Sequence, residues 1–210
     1  MNKEYNKLHF NKWSKFYDKD IIWGRYFSYG YDQVIKILNK DVNKDKKKVI
    51  LDIGCGTGEL EYKLTNFCQI QKIVAIDFSE KMLNIAKLKN DKKKVNFILS
   101  DLDKIRFSNQ SFDVIIILNV LHHTQDLNLL LKNISDWIRP DGLIFVLDPI
   151  YDNLLKKFWC ILLKYVLIPE KSIKYYSLKD MLSILKKYNL NLIGSKNIFY
   201  FSKLLLISKL

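Results

Sequence analysis

The stretch Val49-Ile-Leu-Asp-Ile-Gly-Cys-Gly-Thr-Gly-Glu59 decides the fold predicted for this chain. An apolar, β-branched run that carries Asp52 is followed by Gly54, Gly56 and Gly58 before a helical pattern begins. Glycines allow a tight turn and let a ligand approach the main chain without a Cβ in the way. In open α/β sheets, ligands bind beyond the carboxyl ends of the strands. The stretch therefore predicts a strand, a ligand-binding turn and a helix in succession.

The segments around this stretch alternate between short β-branched runs and helical patterns, which is typical of βαβ units and a parallel sheet. Strands are predicted at 48–53, 72–77, 95–99, 112–118 and 143–147, with two closing strands at 190–195 and 197–208. Helices are predicted at 59–67, from Ser79 as N-cap, and at 127–138, 154–168 and 177–188, with a turn at Arg139-Pro-Asp-Gly142. We predict a Rossmann-like α/β fold, whose seven-stranded, mainly parallel sheet carries helices on both faces and has its last strand antiparallel.

Length and composition predict one domain. The chain has 210 residues, of which 49% are hydrophobic and 27% charged, a balance that excludes disorder. A chain of this length can bury about 70% of the surface that it exposes when unfolded. Within the domain we expect a helical cap at 1–45, rich in aromatic residues but too polar to fold alone. A cofactor-binding core at 46–150 and closing helices and strands at 151–210 would follow.

Cysteine usage and charge set expectations about location and partners. Cys55, Cys68 and Cys160 have spacings that fit neither a disulfide framework nor a zinc site, so we expect a cytoplasmic protein without a metal. The sequence has neither a signal-peptide core near residue 1 nor an apolar run of about 18 residues, so we expect no secretion and no spanning segment. The net charge of +13 is carried almost entirely by lysine rather than arginine, which disfavours nucleic acid as a partner.

The spacing of the glycines discriminates between two classes of cofactor. The dinucleotide fingerprint is G-x-G-x-x-G, with a pyrophosphate bound at the helix N-terminus. Here the third position of that fingerprint is Glu59, whose charge would repel a pyrophosphate. Asp52 places a second carboxylate close to the turn. The pattern therefore favours a cationic cofactor over a dinucleotide.

The residues Leu51-Asp-Ile-Gly-Cys-Gly-Thr-Gly58 resemble motif I of class I S-adenosylmethionine-dependent methyltransferases, and the resemblance extends over residues 49–149. It implies S-adenosylmethionine as the cofactor and methyl transfer by in-line displacement. Such a reaction depends on the alignment of the reactants and requires no metal. The residues implied in cofactor binding are Asp52, Gly54, Gly56, Gly58, Asp77, Phe78, Asp101, Leu102 and Asn119.

The resemblance assigns part of the cofactor to each strand end. Asp77 corresponds to the carboxylate that accepts hydrogen bonds from both ribose hydroxyls, and Phe78 to the residue that packs on the adenine. Asp101 corresponds to the acid that binds the adenine amino group, and the backbone N–H of Leu102 meets the ring. Asn119 begins the segment that lines the methionine part. Each acid alone also fits other sites; their conjunction with the glycine spacing favours this cofactor.

The segment Asn119-Val-Leu-His-His123 bears on the methyl acceptor. Enzymes that methylate nucleic acids and amino groups often carry Asn/Asp-Pro-Pro-aromatic here, so its absence favours a small-molecule or lipid-like acceptor. The resemblance is to quinone-biosynthesis enzymes. His122 or His123 could act as a general base, since imidazole titrates near neutral pH; alternatively neither acts, because this branch carries a similar sequence without needing a histidine base. Phe16-Tyr-Asp18 resembles a short aromatic-acid element placed over the cofactor.

Two other functions remain open from the sequence. A NAD-dependent oxidoreductase would also carry an acid after the second strand, although Asp52 and Glu59 disfavour it. A non-catalytic subunit would keep the cofactor motif and lose the acceptor site. The amphipathic stretch 154–168 combines apolar residues with lysines, and it fits a core helix, a lid over an apolar acceptor or a peripheral contact with an anionic membrane.

Overall fold

The computed structural model describes residues 8–12, 14, 20–40, 47–67, 70–90, 93–102, 104–162 and 173–209. Residues 8–12 are helical. The helices that follow are α1 (Ile21–Leu38), α2 (Glu59–Phe67), α3 (Glu80–Lys89), α4 (Leu127–Trp137), α5 (Leu154–Leu162) and α6 (Leu178–Lys187). The strands are β1 (Lys48–Ile53), β2 (Ile70–Asp77), β3 (Val95–Leu99), β4 (Phe112–Leu118), β5 (Ile138–Tyr151), β6 (Tyr176–Ser177), β7 (Leu190–Ile198) and β8 (Ser202–Lys209).

The strands form a sheet in the order β3-β2-β1-β4-β5-β8-β7, and the two-residue β6 pairs with β5. The first five strands are parallel; Ile50 of β1, for example, lies opposite Ile73 of β2 and Val114 of β4. β8 runs antiparallel to both of its neighbours. The strand order reverses between β1 and β4, which is where ligands bind in open α/β sheets. The predicted Rossmann-like sheet, mainly parallel with an antiparallel closing strand, is confirmed.

The central strands are buried on both faces, as their almost continuous apolar sequence predicts. Successive residues of a strand point to opposite faces of the sheet. Ile50 packs in a cluster with α1, α2 and α3, whereas Leu51 packs in a cluster with α4 and α6. Helix α1 lies close to the sheet, since a Cβ at Gly30 would come within 2.6 Å of Leu147 Cδ2. Packing in the core therefore fixes the positions of the strands, and the polar groups of the site lie at the carboxyl ends of these strands.

Most predicted elements agree with the structure to within a few residues, and two boundaries differ. The turn predicted at 139–142 lies inside β5, where strand pairing to β4 shifts from Ile138 to Leu143. Asp141 there has a φ of 61°, so the turn residues form a bulge instead of ending the pairing. The last two strands turn at Phe199, with a φ of 55°, rather than near residue 196, because their pairing extends three residues further.

Some predicted features fall outside the described residues. The helix predicted at 154–168 is seen as α5 up to Leu162, and its remainder lies beyond that range. Cys68 and Phe16-Tyr-Asp18 also lie outside the described residues. Within the described ranges, every helix is too short or too polar to span a membrane.

Candidate active site

The loop after β1 folds tightly because its glycines adopt backbone angles that other residues avoid. Gly54, Gly56 and Gly58 have φ values of 80°, 55° and 75°, all in the left-handed region. The N–H of Gly54 donates to the carbonyl of Ile76 in β2 (2.7 Å). On the opposite side, a Cβ at Gly54 would overlap the side chain of Val120, which follows β4. The loop is therefore held between β2 and the chain that leaves β4.

Asp77, the last residue of β2, connects the glycine loop to the start of α3. Its Oδ2 accepts a hydrogen bond from the N–H of Gly56 (3.0 Å), and its Oδ1 accepts one from the N–H of Ser79 (2.7 Å). Ser79 in turn caps α3 by accepting from the N–H of Met82 (3.3 Å). Burial raises the pKa of Asp77 to about 6, although the backbone N–H groups act against that rise. The Asp77 side chain is therefore an ionised carboxylate at neutral pH.

A pair of acids lies beside the loop. Asp52 of β1 and Glu61 in the first turn of α2 are both buried. Among the described residues, no N–H or hydroxyl group donates to the carboxyl oxygens of Glu61, and the carboxyl group of Asp52 is the acid that interacts with it most strongly. Two carboxyl groups share a hydrogen bond only when one is protonated. Burial and the charge of Asp52 raise the pKa of Glu61 well above its usual range, while burial raises that of Asp52 to about 6.

The third predicted acid, Asp101, follows β3 at the same edge of the sheet. The N–H of Ser100 donates to the carbonyl of Asp77 (3.0 Å), which sets Asp101 one residue beyond that contact. The side chain of Leu102 packs against the core cluster on the α4 and α6 face. Asp52, Asp77 and Asp101 thus stand at or just beyond the carboxyl ends of three adjacent strands.

The helical segment at 8–12 lies over this end of the sheet. The ring of Phe10 meets the ring of Phe78 edge to face, with centroids 5.7 Å apart, and that of His123 in the same way at 5.4 Å. The hydroxyl of Ser79 donates to Asn11 Oδ1 (2.7 Å). The segment therefore bridges the predicted adenine-packing residue and one of the two predicted histidines.

Asn119, directly after β4, has a φ of 59°, a conformation that few residues other than glycine adopt. Its N–H donates to the carbonyl of Leu147 (2.7 Å), and its Oδ1 accepts from the hydroxyl of Tyr26 in α1 (2.8 Å). That hydroxyl also lies 2.9 Å from the Oγ of Ser202. Unusual backbone conformations held by tertiary contacts cluster at functional sites. The tyrosine and the neighbouring strands thus fix a residue predicted to contact the cofactor.

His122 and His123 form a 3₁₀ turn after β4, with ring centroids 4.0 Å apart, but their surroundings differ. His122 Nδ1 lies 3.0 Å from Asp148 Oδ1, and the N–H of Leu121 donates to Oδ2 of the same carboxylate (2.9 Å). A proton on Nδ1 that donates to Asp148 leaves Nε2 as the acceptor nitrogen. Burial and the neighbouring His122 and His9 lower the pKa of His123 well below its usual range. His123 is therefore neutral at physiological pH.

Three residues of this site are absent from the set predicted from sequence: Tyr26, Glu61 and Asp148. Asp148 follows the predicted fifth strand, so the rule that selects acids at strand ends also selects it. Glu61 lies three residues before Leu64 and next to Leu60 on the buried side of α2, and a carboxyl group at a core position of a helix points to a paired or functional group. Tyr26 lies 93 positions before the asparagine that it contacts, and no local pattern signals such a pairing.

Comparison with known proteins finds methyltransferases that are similar to this chain over part of its length. Residues 51–146 match a family model described as a methyltransferase domain. A demethylmenaquinone methyltransferase from Leptospira interrogans is 31% identical over 144 residues, which cover 66% of this chain and 58% of that protein. A malonyl-[acyl-carrier protein] O-methyltransferase from Bacillus anthracis is 29% identical over 111 residues, which cover 53% of this chain and 41% of that protein. The chain spans about half the length of these relatives.

A solved structure shares the fold. The magnesium protoporphyrin IX methyltransferase from Synechocystis PCC 6803, with bound S-adenosylhomocysteine, aligns with a TM-score of 0.71 at 19% identity, covering 91% of this chain and 88% of that chain. Fold and site together define an α/β protein with a glycine loop and three acidic residues at the carboxyl edge of its sheet. More particularly, the similarity over residues 51–146 and the named relatives support the class I S-adenosylmethionine-dependent methyltransferase that the sequence predicts.

Proposed function

We propose that this protein transfers a methyl group from S-adenosylmethionine to a small-molecule or lipid-like acceptor, with a quinol as the first candidate. The observation that carries the proposal is the glycine loop, whose Gly56 N–H is bound by the buried carboxylate of Asp77 next to Asp52. An acidic cradle in a chain of net charge +13 suits a cationic sulfonium compound and repels a pyrophosphate. The demethylmenaquinone methyltransferase among the relatives supports a quinol acceptor.

The proposed cofactor contacts follow the strand ends. Asp77 would bind the ribose, Phe78, Asp101 and the N–H of Leu102 would hold the adenine, and Asn119 would line the methionine part. Asp52 with the three glycines completes the cradle. The cofactor supplies an activated methyl group, and the task of these residues is to orient it toward the acceptor, since alignment contributes much of the rate in such displacements.

On the acceptor side we propose His122 as the general base and Asp148 as the residue that positions it. As the new bond to the methyl group forms and the methyl–sulfur bond breaks, a quinol or hydroxyl acceptor loses one proton. Nε2 of His122 accepts that proton, because the bond between Nδ1 and Asp148 fixes this tautomer and stabilises the imidazolium that forms. His123, whose pKa is lowered, is a weak base and packs against Phe10 instead.

Titration calorimetry with S-adenosylmethionine, S-adenosylhomocysteine and NAD tests the cofactor assignment. We expect the first two to bind and NAD not to bind. Asp77→Asn should weaken both by about 10- to 100-fold, because a hydrogen bond to a charged group contributes about 1.5–3 kcal/mol. Asp136→Asn, at an exposed acid of α4 paired with Lys132, is the matched control and should leave affinity unchanged. A preference for NAD, or equal affinities for wild type and Asp77→Asn, would refute the assignment.

Methyl transfer from labelled S-adenosylmethionine to a demethylmenaquinol tests the acceptor, with a malonyl thioester as the competing candidate. His122→Gln should lower kcat about 100-fold or more, in the range of general acid–base catalysis. His123→Gln, at the adjacent ring, should change kcat far less. Equal losses in the two variants would contradict a base at His122, whereas turnover of the thioester alone would contradict the quinol acceptor.

Helix α5 supports a second part of the proposal, a contact with an anionic membrane where a lipid-like acceptor would reside. Its exposed apolar side chains are Leu154, Leu155, Phe158, Trp159 and Ile161. The exposed Lys157 lies on the same helix, while the buried Lys156 is paired with Asp152 (3.0 Å), which Lys203 of β8 also contacts (2.9 Å). An apolar helix face in a chain of net charge +13 is complementary to anionic lipid.

Vesicle flotation tests this contact. The protein should float with vesicles that contain phosphatidylglycerol and not with pure phosphatidylcholine, and 0.5 M salt should reduce the bound fraction. Phe158→Glu should abolish flotation, whereas Ile193→Glu, at an equally exposed apolar residue of β7, should preserve it. Binding that is insensitive to Phe158→Glu would exclude α5 as the contact.

A further inference from the structure

Glu61 is the acid of this site that the proposed chemistry leaves without a task. Its side chain is 0% exposed, and among the described residues its oxygens receive no hydrogen bond from an N–H or hydroxyl group. A buried carboxyl group without such donors is costly, because its desolvation is uncompensated. Glu61 lies in the first turn of helix α2, which directly follows the glycine loop.

The groups that face Glu61 come from three elements. Asp52 of β1 is the acid that interacts most strongly with Glu61, and Cys55 of the loop and Asp77 of β2 also interact with it electrostatically. The thiol of Cys55 has a pKa raised well above its usual value by burial and by these acids, so it stays neutral. Glu59, the other acid of this helical turn, is paired instead with Lys89 (2.9 Å). The interaction available to Glu61 is therefore donation of its proton to Asp52.

The position of Asp52 gives this hydrogen bond a consequence for binding. In the sheet, Asp52 pairs with Ala75 of β2 on one side and Ile116 of β4 on the other. A ligand that extends from Asp77, at the end of β2, to Asn119, after β4, must pass the loop next to Asp52. Its part nearest Asn119 is the amino-acid part in the proposed function, and that part carries an ammonium group.

We propose that Glu61 is a positioning residue: as a neutral acid it donates a hydrogen bond to Asp52 and keeps that side chain ionised to bind the ammonium group of the cofactor. The inference rests on the proposed function. Glu61 does not touch the cofactor; it acts through Asp52.

Two substitutions separate this role from simple packing. Glu61→Gln keeps the shape and an N–H donor for Asp52 but removes the acidic proton. Glu61→Leu keeps the approximate volume and removes the donor. Glu61→Gln keeps a donor for Asp52 and should leave stability unchanged, whereas Glu61→Leu leaves Asp52 buried without its donor and should lower the free energy of unfolding, which urea unfolding measures before the titrations. A donor role therefore predicts that Gln preserves cofactor affinity and Leu does not.

Two ligands separate the effect on Asp52 from effects on Asp77. S-adenosylhomocysteine carries the ammonium group, and 5′-methylthioadenosine has the same nucleoside and thioether but lacks the amino-acid part. The pKa of Asp77 is also about 6, and protonation of Asp77 should weaken the binding of both ligands. Protonation of Asp52 should weaken the binding of S-adenosylhomocysteine alone. The ratio of the two dissociation constants therefore reports on the interaction between Asp52 and the ammonium group.

Calorimetric titrations between pH 5 and pH 8 then test the inference. For wild type, affinity for S-adenosylhomocysteine should fall as the pH drops below about 6, where Asp52 takes up a proton. Without its donor Asp52 should titrate about one unit higher, so Glu61→Leu should weaken S-adenosylhomocysteine roughly fivefold at pH 6 and shift the pH profile upward. Affinity for 5′-methylthioadenosine should not change, and Glu61→Gln should restore both the affinity and the profile.

The alternative outcomes are distinct. Equal weakening of both ligands by Glu61→Leu, or equal weakening of S-adenosylhomocysteine by Leu and Gln, would overturn the donor role. If the pH profile of S-adenosylhomocysteine affinity were unchanged in Glu61→Leu, Glu61 would serve only as a residue of the core. That result would also overturn the donor role, while the proposed function would stand. If wild type bound neither ligand, the proposed function itself would fail and the inference with it.

Discussion

Replacing Asp52 with asparagine should stabilise the protein and weaken cofactor binding at the same time. Folding raises the pKa of Asp52 from 3.8 to about 6, mainly through burial. An acid whose pKa is raised on folding binds its proton more tightly in the folded state. It therefore stabilises the fold at low pH, and this contribution is lost as the pH rises from about 4 through about 6. At pH 7.5 the shift corresponds to about 3 kcal/mol, an upper bound because Glu61 shares the titration.

Asparagine has nearly the same shape and no charge, so Asp52→Asn should recover up to about 3 kcal/mol at pH 7.5 and about half of that at pH 5. For a chain of this size the gain at pH 7.5 is equivalent to a rise in Tm of about 6–12 °C. Urea unfolding at the two pH values measures the two differences in free energy, and thermal unfolding at pH 7.5 measures Tm. In the same variant, the affinity for S-adenosylhomocysteine at pH 7.5 should fall at least tenfold. A lower Tm at pH 7.5, or the same gain at both pH values, would refute this reasoning.

Three further substitutions test the local structure. Gly58→Ala should lower the free energy of unfolding by about 1–3 kcal/mol and weaken cofactor binding, since Gly58 has a φ of 75° and a Cβ would lie 2.6 Å from Asn90 Nδ2. Tyr26→Phe should lower kcat/KM, because it removes the hydroxyl that holds Asn119, and should cost about 1 kcal/mol in chemical denaturation. Ser177→Ala removes the N-cap of α6 and should cost about 1 kcal/mol with no change in cofactor affinity, which calorimetry would verify.

The fold could be predicted because each local signal agrees with the global arrangement. Strand β4 reads as an uninterrupted apolar run, which is what burial on both faces requires, and it is central in the sheet. Ser79 and Ser177 cap helices α3 and α6 as their positions predict. The acids at 52, 77 and 101 could be grouped because parallel strands end at the same edge of a sheet.

The interactions that complete the site could not be predicted, because they depend on tertiary distance. The contact between Tyr26 and Asn119 joins residues 93 positions apart, and the bond between His122 and Asp148 depends on how the turn after β4 meets β5. The bulge within β5 has the same origin: Asp141 and its neighbours have turn chemistry, yet pairing with β4 resumes at Leu143. In each case packing determines which of several locally acceptable arrangements is adopted.

The acids beside the glycine loop are best understood as a conflict between folding and binding. Three buried carboxyl groups, Asp52, Glu61 and Asp77, all have pKa values raised by burial, so each favours a fold in which it is neutral. A chain selected for stability alone would replace them with amides or apolar residues. A cationic ligand reverses that preference, because it stabilises the ionised forms that folding disfavours. Stability and cofactor affinity should therefore change in opposite directions with pH, and a purely structural cluster would have no reason to produce that opposition.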